Sequence, residues 1–163
     1  MTNNNKDKIK IYLAGSMFNE ADIAQRKLEA KNLRDRFKNI DVFNPIEKPF
    51  NTNKENLPTP FEIFEADTQA VIDSDIFLAD ISNEDSGVLV ELGIAIANNK
   101  TIIVVNSDIR LKSANKYDIP SYSMNHYVLG GILKHGYLVY SFDEAISKIQ
   151  ELLPDLLNSK GNK

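Results

Sequence analysis

One acidic side chain, Glu91, lies inside an otherwise apolar helical stripe. Residues 80–93 read Asp-Ile-Ser-Asn-Glu-Asp-Ser-Gly-Val-Leu-Val-Glu-Leu-Gly, an acidic loop followed by an apolar segment. At about 100 degrees per residue, Glu91 falls on the same side of a helix as Val88 and Ala95. A carboxylate in that position must be desolvated, paired or used in chemistry. The competing interpretation is a boundary carboxylate that reaches solvent.

Three other side chains are candidates to work with Glu91. Asp85 comes six residues earlier, where its ordinary role would be to cap the helix that carries Glu91. Asp67 belongs to the preceding helical segment, and a solvated helix acid is its commonest explanation. Tyr12 lies in the first apolar strand, where most tyrosines are packing residues with a polar end. Its hydroxyl could also reach a carboxylate on the neighbouring strand–helix unit.

Carboxylates with a tyrosine fit chemistry at the anomeric carbon of a sugar. One carboxylate can capture that carbon covalently, while a second acid protonates the leaving group. Other chemistries have less support. The turn at residues 15–18 has a single glycine and is neither a P-loop nor a dinucleotide fingerprint. His126 and His135 have no carboxylate cluster between them, and cysteine is absent. We therefore expect neither a metal nor a cofactor.

The pattern around these residues is one of alternating strands and helices. Apolar runs predict strands, and capped amphipathic segments predict helices between them. The predicted strands are 9–14, 41–43, 76–79, 101–105 and 137–140, and the predicted helices are 19–37, 59–73, 86–98, 124–133 and 142–153.

Such alternation indicates a flavodoxin-like, Rossmann-like α/β three-layer sandwich. Its parallel sheet would have five strands in the order 2-1-3-4-5. In this order strands one and three are neighbours, and the chain reverses direction between them. Ligands bind at the carboxyl ends of the strands at such a point, so the loops at residues 14–18 and 81–87 should converge there.

The whole chain reads as one catalytic domain over residues 9–154. Residues 1–8 and 155–163 would be flexible tails, the second beginning where Pro154 stops the closing helix. The proline-rich loop at residues 44–58 is long enough to be either functional or disordered.

The bulk composition favours a cytoplasmic protein with small-molecule partners. The 163 residues include 23 acidic and 19 basic ones, a formal net charge of −4. That charge argues against nucleic acid or an anionic membrane as partner. The start of the chain does not resemble a signal peptide, and no apolar run is long enough to cross a bilayer.

From Ile11 to about Leu153, the chain resembles the nucleoside 2-deoxyribosyltransferase family. The resemblance rests on four places in the expected order. These are Ile11-Tyr12-Leu13-Ala14-Gly15 followed by Phe18-Asn19, Asp67 eight residues before Asp75, Asp85-Ser86-Gly87 continuing to Glu91-Leu92-Gly93, and Asn125-His126-Tyr127.

The resemblance implies exchange of the base on a 2′-deoxynucleoside, with retention, in nucleoside salvage. Glu91 would attack C1′ and carry a deoxyribosyl ester. Tyr12 would orient Glu91 by a hydrogen bond, Asp67 would handle the proton on the base, and Asp85 would bind a sugar hydroxyl. Further substrate-binding positions would be Ser86, Gly15, Phe18, Asn125 and Tyr127.

The resemblance also implies an oligomer and a base-binding loop. In the family, the residue equivalent to Asn125 enters the active site of a neighbouring subunit, so a homo-oligomer, dimer or hexamer, with shared active sites is expected. Tyr127 stands where the family usually has Met. The loop at residues 44–58 should bind the base, and the partners would be a deoxynucleoside and a free nucleobase.

Two alternatives remain. One is a 2′-deoxynucleoside 5′-monophosphate N-glycosidase, a hydrolase that must bind a phosphate. It should carry an Arg in the loop after strand one and a small hydroxyl residue in place of Asp85, whereas that loop has Met17 and Phe18. The other is a flavodoxin-like nucleoside-binding module without turnover.

Overall fold

A parallel five-stranded sheet forms the centre of the molecule. The structure is a computed structural model, and it describes residues 8–49, 55, 57–109 and 124–161. The strand order is β2-β1-β3-β4-β5, and every neighbouring pair is parallel. The predicted α/β class and strand order are therefore confirmed. The strands are β1 Ile9–Ala14, β2 Ile40–Phe43, β3 Ile76–Asp80, β4 Thr101–Val105 and β5 Gly136–Val139.

Within the described residues, five helices cover the two faces of this sheet. They are α1 Glu20–Arg36, α2 Pro60–Asp73, α3 Ser86–Ala97, α4 His126–His135 and α5 Phe142–Gly161, with a short 3-10 turn at Pro45–Glu47. One apolar cluster joins α1 and α5 to the sheet, and a second joins α2, α3 and α4 to the opposite face. Alternation along β1 divides the clusters: Ile11 and Leu13 belong to the first, and Tyr12 belongs to the second.

Side-chain caps fix where the helices begin. The Asn19 side chain accepts a hydrogen bond from the backbone N–H of Asp22 at the start of α1. Thr59 and Glu62 form a reciprocal capping box at the start of α2, with Pro60 as its first helical residue. These contacts satisfy N–H groups that have no partner inside the helix. The predicted starts of α1 and α2 are confirmed.

The predicted stop of the closing helix at Pro154 is wrong. Helix α5 continues through Pro154 to Gly161, so residues 155–161 extend this helix rather than begin a tail. Proline removes one helical hydrogen bond. Leu153, Leu156 and Leu157 pack against the buried cluster under α5, and this burial offsets the lost bond.

Smaller differences concern the last third of the chain. Helix α4 begins at His126 and runs to His135, two residues later at each end than predicted, because Asn125 caps it. Strand β5 begins directly after it, at Gly136. The predicted irregular segment at residues 107–123 lies mostly outside the described residues. Within the described residues, no helix is both long and apolar enough to cross a membrane.

Candidate active site

A buried tyrosine and a glutamate are hydrogen-bonded across the β1–α3 contact. The Tyr12 hydroxyl donates to Glu91 Oε1 at 2.7 Å. Tyr12 is 0% exposed, and strand register places it between Phe43 of β2 and Phe77 of β3. Its ring stacks on both, with centroid distances of 5.3 Å and 5.8 Å. The Tyr12 ring therefore lies between two other aromatic rings, and its hydroxyl points toward Glu91.

Glu91 combines partial burial with neighbouring negative charge. It lies on the inward side of α3, between the buried residues Val88 and Ala95. Burial is the main cause that raises the pKa of Glu91 to about 7. The hydrogen bond from Tyr12 lowers that pKa, while the charges of Asp67 and Asp85 raise it. The carboxyl thus titrates near neutral pH, where a small change of environment decides whether it is a nucleophile.

The hydroxyl of Tyr12 remains a donor throughout this range. Burial, followed by the charges of Glu91 and Asp67, moves the pKa of Tyr12 far above its ordinary value. The phenol keeps its proton and donates a hydrogen bond to Glu91, and this hydrogen bond stabilises the ionised form of Glu91. The hydrogen bond expected from the sequence is present, and its role in orienting Glu91 stays a prediction.

Asp67 faces the same pair from α2. Burial raises the pKa of Asp67 to about 6, and the charge of Lys48 acts in the opposite direction. Its Oδ1 atom is buried, and no described residue donates a hydrogen bond to it. Buried oxygens are nearly always paired in folded proteins, so this oxygen can accept a hydrogen bond from a group beyond the described residues. An N–H of a ligand would satisfy it.

Asp85, just before α3, is the third member of an acidic cluster that also contains Glu91 and Asp67. Its Oδ1 accepts the backbone N–H of Gly87 at 2.7 Å, so the predicted capping role is confirmed. The residue before it, Glu84, has a φ of 52°, a left-handed conformation that turns the chain sharply into the helix. Ser86 is the first residue of α3 and is exposed. The second carboxylate oxygen of Asp85 is available to a ligand.

The loop after β1 owes its glycine to a neighbouring arginine. A Cβ atom on Gly15 would lie 2.1 Å from Nη1 of Arg26. Arg26 is buried, donates to the carbonyl of Ala14, and forms ion pairs with Glu29 at 3.0 Å and Asp80 at 2.9 Å. The guanidinium thus joins the ends of β1 and β3, the two strands whose loops were expected to form the site. Gly15 therefore has a packing reason, and its contact with substrate stays a prediction.

Within the described residues of one chain, no hydrogen bond links Phe18, Asn125 or Tyr127 to the acidic cluster. Phe18 is 83% exposed in the loop after β1. Asn125 caps α4 through its side-chain oxygen, which accepts from the backbone of Tyr127 and Val128. Tyr127 is 91% exposed. These positions stay predictions, and two of them were expected to act across a subunit boundary.

Four residues that shape the site were not predicted. Phe43 and Phe77 follow from strand register, because the order β2-β1-β3 sets them on either side of Tyr12. Arg26 and Lys48 have no such signal, since Asp80 lies 54 residues from Arg26 and the contacts of Lys48 depend on the shape of the turn after β2. Within the described residues, no group of three or more His, Asp or Glu side chains could hold a metal ion.

Comparison with known proteins places this geometry in a family. The sequence profile of the nucleoside 2-deoxyribosyltransferases matches residues 11–146. The chain belongs to the nucleoside 2-deoxyribosyltransferase family. The matched range includes the acidic cluster of Asp67, Asp85 and Glu91, and also Tyr12, which donates to Glu91. An uncharacterised protein of Ureaplasma parvum serovar 3 is 32% identical over 159 residues, covering 87% of this chain and 94% of that protein.

Several solved structures have a fold similar to that of this chain. A conserved protein from Enterococcus faecalis V583 is 27% identical, with a TM-score of 0.76, and the match covers 88% of this chain and 98% of that one. A 2-deoxyribosyltransferase from Bacillus psychrosaccharolyticus is 23% identical, with a TM-score of 0.61 and coverage of 83% and 89%. The Clostridium botulinum CMP N-glycosidase BcmB is 18% identical, with a TM-score of 0.52 and coverage of 86% and 97%. The last two establish likeness of fold.

Proposed function

We propose that this member of the nucleoside 2-deoxyribosyltransferase family exchanges the base of a 2′-deoxynucleoside through a deoxyribosyl ester on Glu91. The observation that carries the proposal is the 2.7 Å hydrogen bond from Tyr12 to a half-buried Glu91. The donor fixes the orientation of the Glu91 carboxyl, and the charges of Asp67 and Asp85 act on the same group. Family membership supports action on an N-glycosidic bond of a nucleoside.

In the first half-reaction, the ionised Glu91 attacks C1′ of the sugar. The C1′–N bond breaks, its electron pair stays on the base, and Asp67 supplies the proton that makes the base a neutral leaving group. Deoxyribose has no 2′-hydroxyl to oppose positive charge at C1′, so one carboxylate and one acid are sufficient without a metal. Burial of Asp67 raises its pKa to about 6, which keeps a protonated fraction available near neutral pH.

In the second half-reaction, an incoming base attacks the same carbon from the face that the first base left. Asp67, now a carboxylate, takes the proton from the incoming nitrogen, and the ester bond to Glu91 breaks. Two inversions give overall retention. Asp85 would bind a sugar hydroxyl with its free oxygen, and Ser86, Phe18 and a neighbouring subunit's residues at positions 125 and 127 would complete the substrate site.

Base exchange, measured with and without Glu91, tests the proposal. We expect purified protein to convert a deoxynucleoside and a second free base into the exchanged deoxynucleoside, followed by chromatography. Glu91→Ala should lower the rate at least about 1,000-fold, because the covalent route is lost. Glu65→Gln is the matched control, since Glu65 is an exposed acid on α2. Normal exchange by Glu91→Ala would refute the covalent mechanism.

Hydrolysis of a nucleotide is the second candidate function, favoured by the similar fold of a CMP N-glycosidase. The carboxylate of Asp85 argues against it, because like charges about 4 Å apart repel by roughly 1–4 kcal/mol. We expect a deoxynucleoside to be a better substrate than its 5′-monophosphate. A higher kcat/KM for the phosphate, with water as acceptor, would establish the hydrolase instead. Tight binding of a deoxynucleoside without any base release would indicate a binding module.

A further inference from the structure

The turn after β2 is anchored to α1 at two points. Asn44 is buried, and its side-chain amide donates to the carbonyl of Arg26 at 3.1 Å. Glu47 forms an ion pair with Arg34 at 2.6 Å. Lys48 follows directly, so its backbone is held at the edge of the sheet by contacts on both sides of the 3-10 turn. The long side chain of Lys48 therefore extends from an anchored stretch of backbone.

The side chain of Lys48 turns inward across an aromatic ring. Its ammonium nitrogen lies 3.9 Å from the ring centroid of Phe43, a cation–π contact. Lys48 and Phe43 line a groove of about 400 Å³ together with Ala66 and Ala70 of α2, the residues on either side of the turn that carries Asp67. The positive charge of Lys48 also lowers the pKa of the Asp67 carboxyl.

The charges around Asp67 are unequal on its two sides. Tyr12 from β1 and Glu91 from α3 both interact with it, and Asp85 adds negative charge through Glu91. Tyr12 is neutral, so these neighbours contribute negative charge alone. Lys48, from the turn after β2, is the positive group that acts on Asp67 within the described part of the chain.

We propose that Lys48 is a positioning residue of the reaction: its ammonium, held over the Phe43 ring, stabilises the carboxylate left on Asp67 when the proton passes to the departing base. The inference rests on the proposed function.

The charge balance of the first half-reaction supports it. In the reactive state of the pair, Glu91 is ionised and Asp67 is protonated. Afterwards, Glu91 is a neutral ester and Asp67 is an anion. One negative charge has therefore moved from the Glu91 side of the cluster to the Asp67 side, where Lys48 lies. A fixed cation at that end favours departure of the base without touching the sugar.

Titration of the Asp67 carboxyl by ¹³C NMR tests the electrostatic effect of Lys48 on Asp67 without requiring activity. We expect Lys48→Met to raise its midpoint by about one pH unit, because an opposite charge has been removed. Lys48→Arg should keep the midpoint near that of the unmodified protein. Lys10→Met is the matched control, since Lys10 lines the same groove but is exposed. Equal midpoints in Lys48→Met and Lys10→Met would overturn the proposal.

The pH profile of base release is the second readout. Release requires an ionised Glu91 and a protonated Asp67, so a higher midpoint for Asp67 should move the optimum upward by about half a pH unit. Lys48→Arg and Lys10→Met should leave the optimum in place. An unmoved optimum in an active Lys48→Met protein would refute the role of Lys48. Unmodified protein that releases no base would instead refute the proposed function. The NMR midpoints would then still report the effect of Lys48 on the pKa of Asp67.

Discussion

Two opposing influences act on Glu91, and the balance between them sets the chemistry of the cluster. Burial and two neighbouring carboxylates favour the protonated form, whereas the Tyr12 hydroxyl favours the ionised form. The resulting pKa of about 7 leaves a substantial ionised fraction at neutral pH. A carboxylate that is poorly solvated but still ionised has fewer solvent bonds to lose when it attacks carbon.

Tyr12→Phe should weaken the reaction and move its pH dependence. Without the donated hydrogen bond the pKa of Glu91 rises, so the ionised form is lost at a higher pH as the solution is acidified. We expect kcat/KM near pH 7 to fall about 10- to 100-fold, the usual value of a hydrogen bond to a charged group. The measurement is a kcat/KM profile from pH 5 to 9, with Tyr140→Phe as control. An acidic limb in the same place would contradict the role of Tyr12.

Glu91→Gln should stabilise the fold while abolishing exchange. The folded-state pKa of Glu91, about 7, lies above the ordinary 4.5, so between these values the folded protein holds a proton that the unfolded chain has lost. Stability from this group is therefore greatest in acid and falls as pH rises to about 7. Glutamine avoids that cost.

Urea unfolding at two pH values measures this effect. At pH 8 we expect the unfolding free energy of Glu91→Gln to exceed that of the unmodified protein by about 1–3 kcal/mol, and at pH 4.5 by much less. Glu65→Gln, an exposed change, should alter it by less than about 0.5 kcal/mol at either pH. A loss of stability at pH 8 would show that Glu91 is not desolvated.

At the scale of elements, the strand order could be predicted because each strand is an apolar run and each helix has a cap. That order also brings Tyr12 beside the unit that carries Glu91, so their hydrogen bond was within reach of sequence reasoning. The end of α5 was not, because Leu156 and Leu157 outweigh Pro154 through packing that only the assembled sheet provides. Local residue preferences fail where tertiary burial opposes them.

Side chains that join distant elements were equally out of reach. Arg26 and Asp80 are 54 residues apart, and nothing local to either residue indicates the ion pair that ties β1 to β3. The contact of Lys48 with Phe43, and its effect on Asp67, likewise depend on how the turn after β2 is anchored. In the sequence, Arg26 and Lys48 look like ordinary surface charges.

Gly15→Ala should destabilise the protein through the Arg26 contact. A methyl group there would overlap a guanidinium that is buried and paired on two sides, so either the loop or the ion pairs must move. We expect a loss of about 1–3 kcal/mol in unfolding free energy, the usual cost of overpacking. Gly93→Ala is the control: its Cβ would meet nothing within 4 Å, and the helix should gain about 0.5–1 kcal/mol. Equal effects would refute the steric account of Gly15.

At the scale of the whole molecule, the acidic cluster and the net charge of −4 suit a neutral nucleoside better than a phosphate. One chain holds Glu91, Tyr12 and Asp67, the proposed nucleophile, its hydrogen-bond donor and the proposed acid. The positions expected to come from a second subunit, Asn125 and Tyr127, are exposed on α4 and separate from that cluster. The shared site therefore stays a prediction about the assembled oligomer.

Subunit mixing tests the shared site. Glu91→Ala and Asn125→Asp should each be inactive alone, and Asp retains the helix cap because its side chain accepts the same N–H groups. After the two variants are unfolded and refolded together, mixed oligomers should contain some sites with both native residues, and part of the exchange activity should return. A protein that is monomeric by light scattering and fully active would contradict the shared site.

The most direct test of the central claim is the intact mass of the protein after brief incubation with a deoxynucleoside and no acceptor base. We predict an added mass equal to one deoxyribosyl group, located on the peptide that contains Glu91, and absent from Glu91→Gln. Free base should appear in the same amount as the adduct. Base release with no adduct under rapid quenching, or an adduct on another residue, would contradict a covalent intermediate at Glu91.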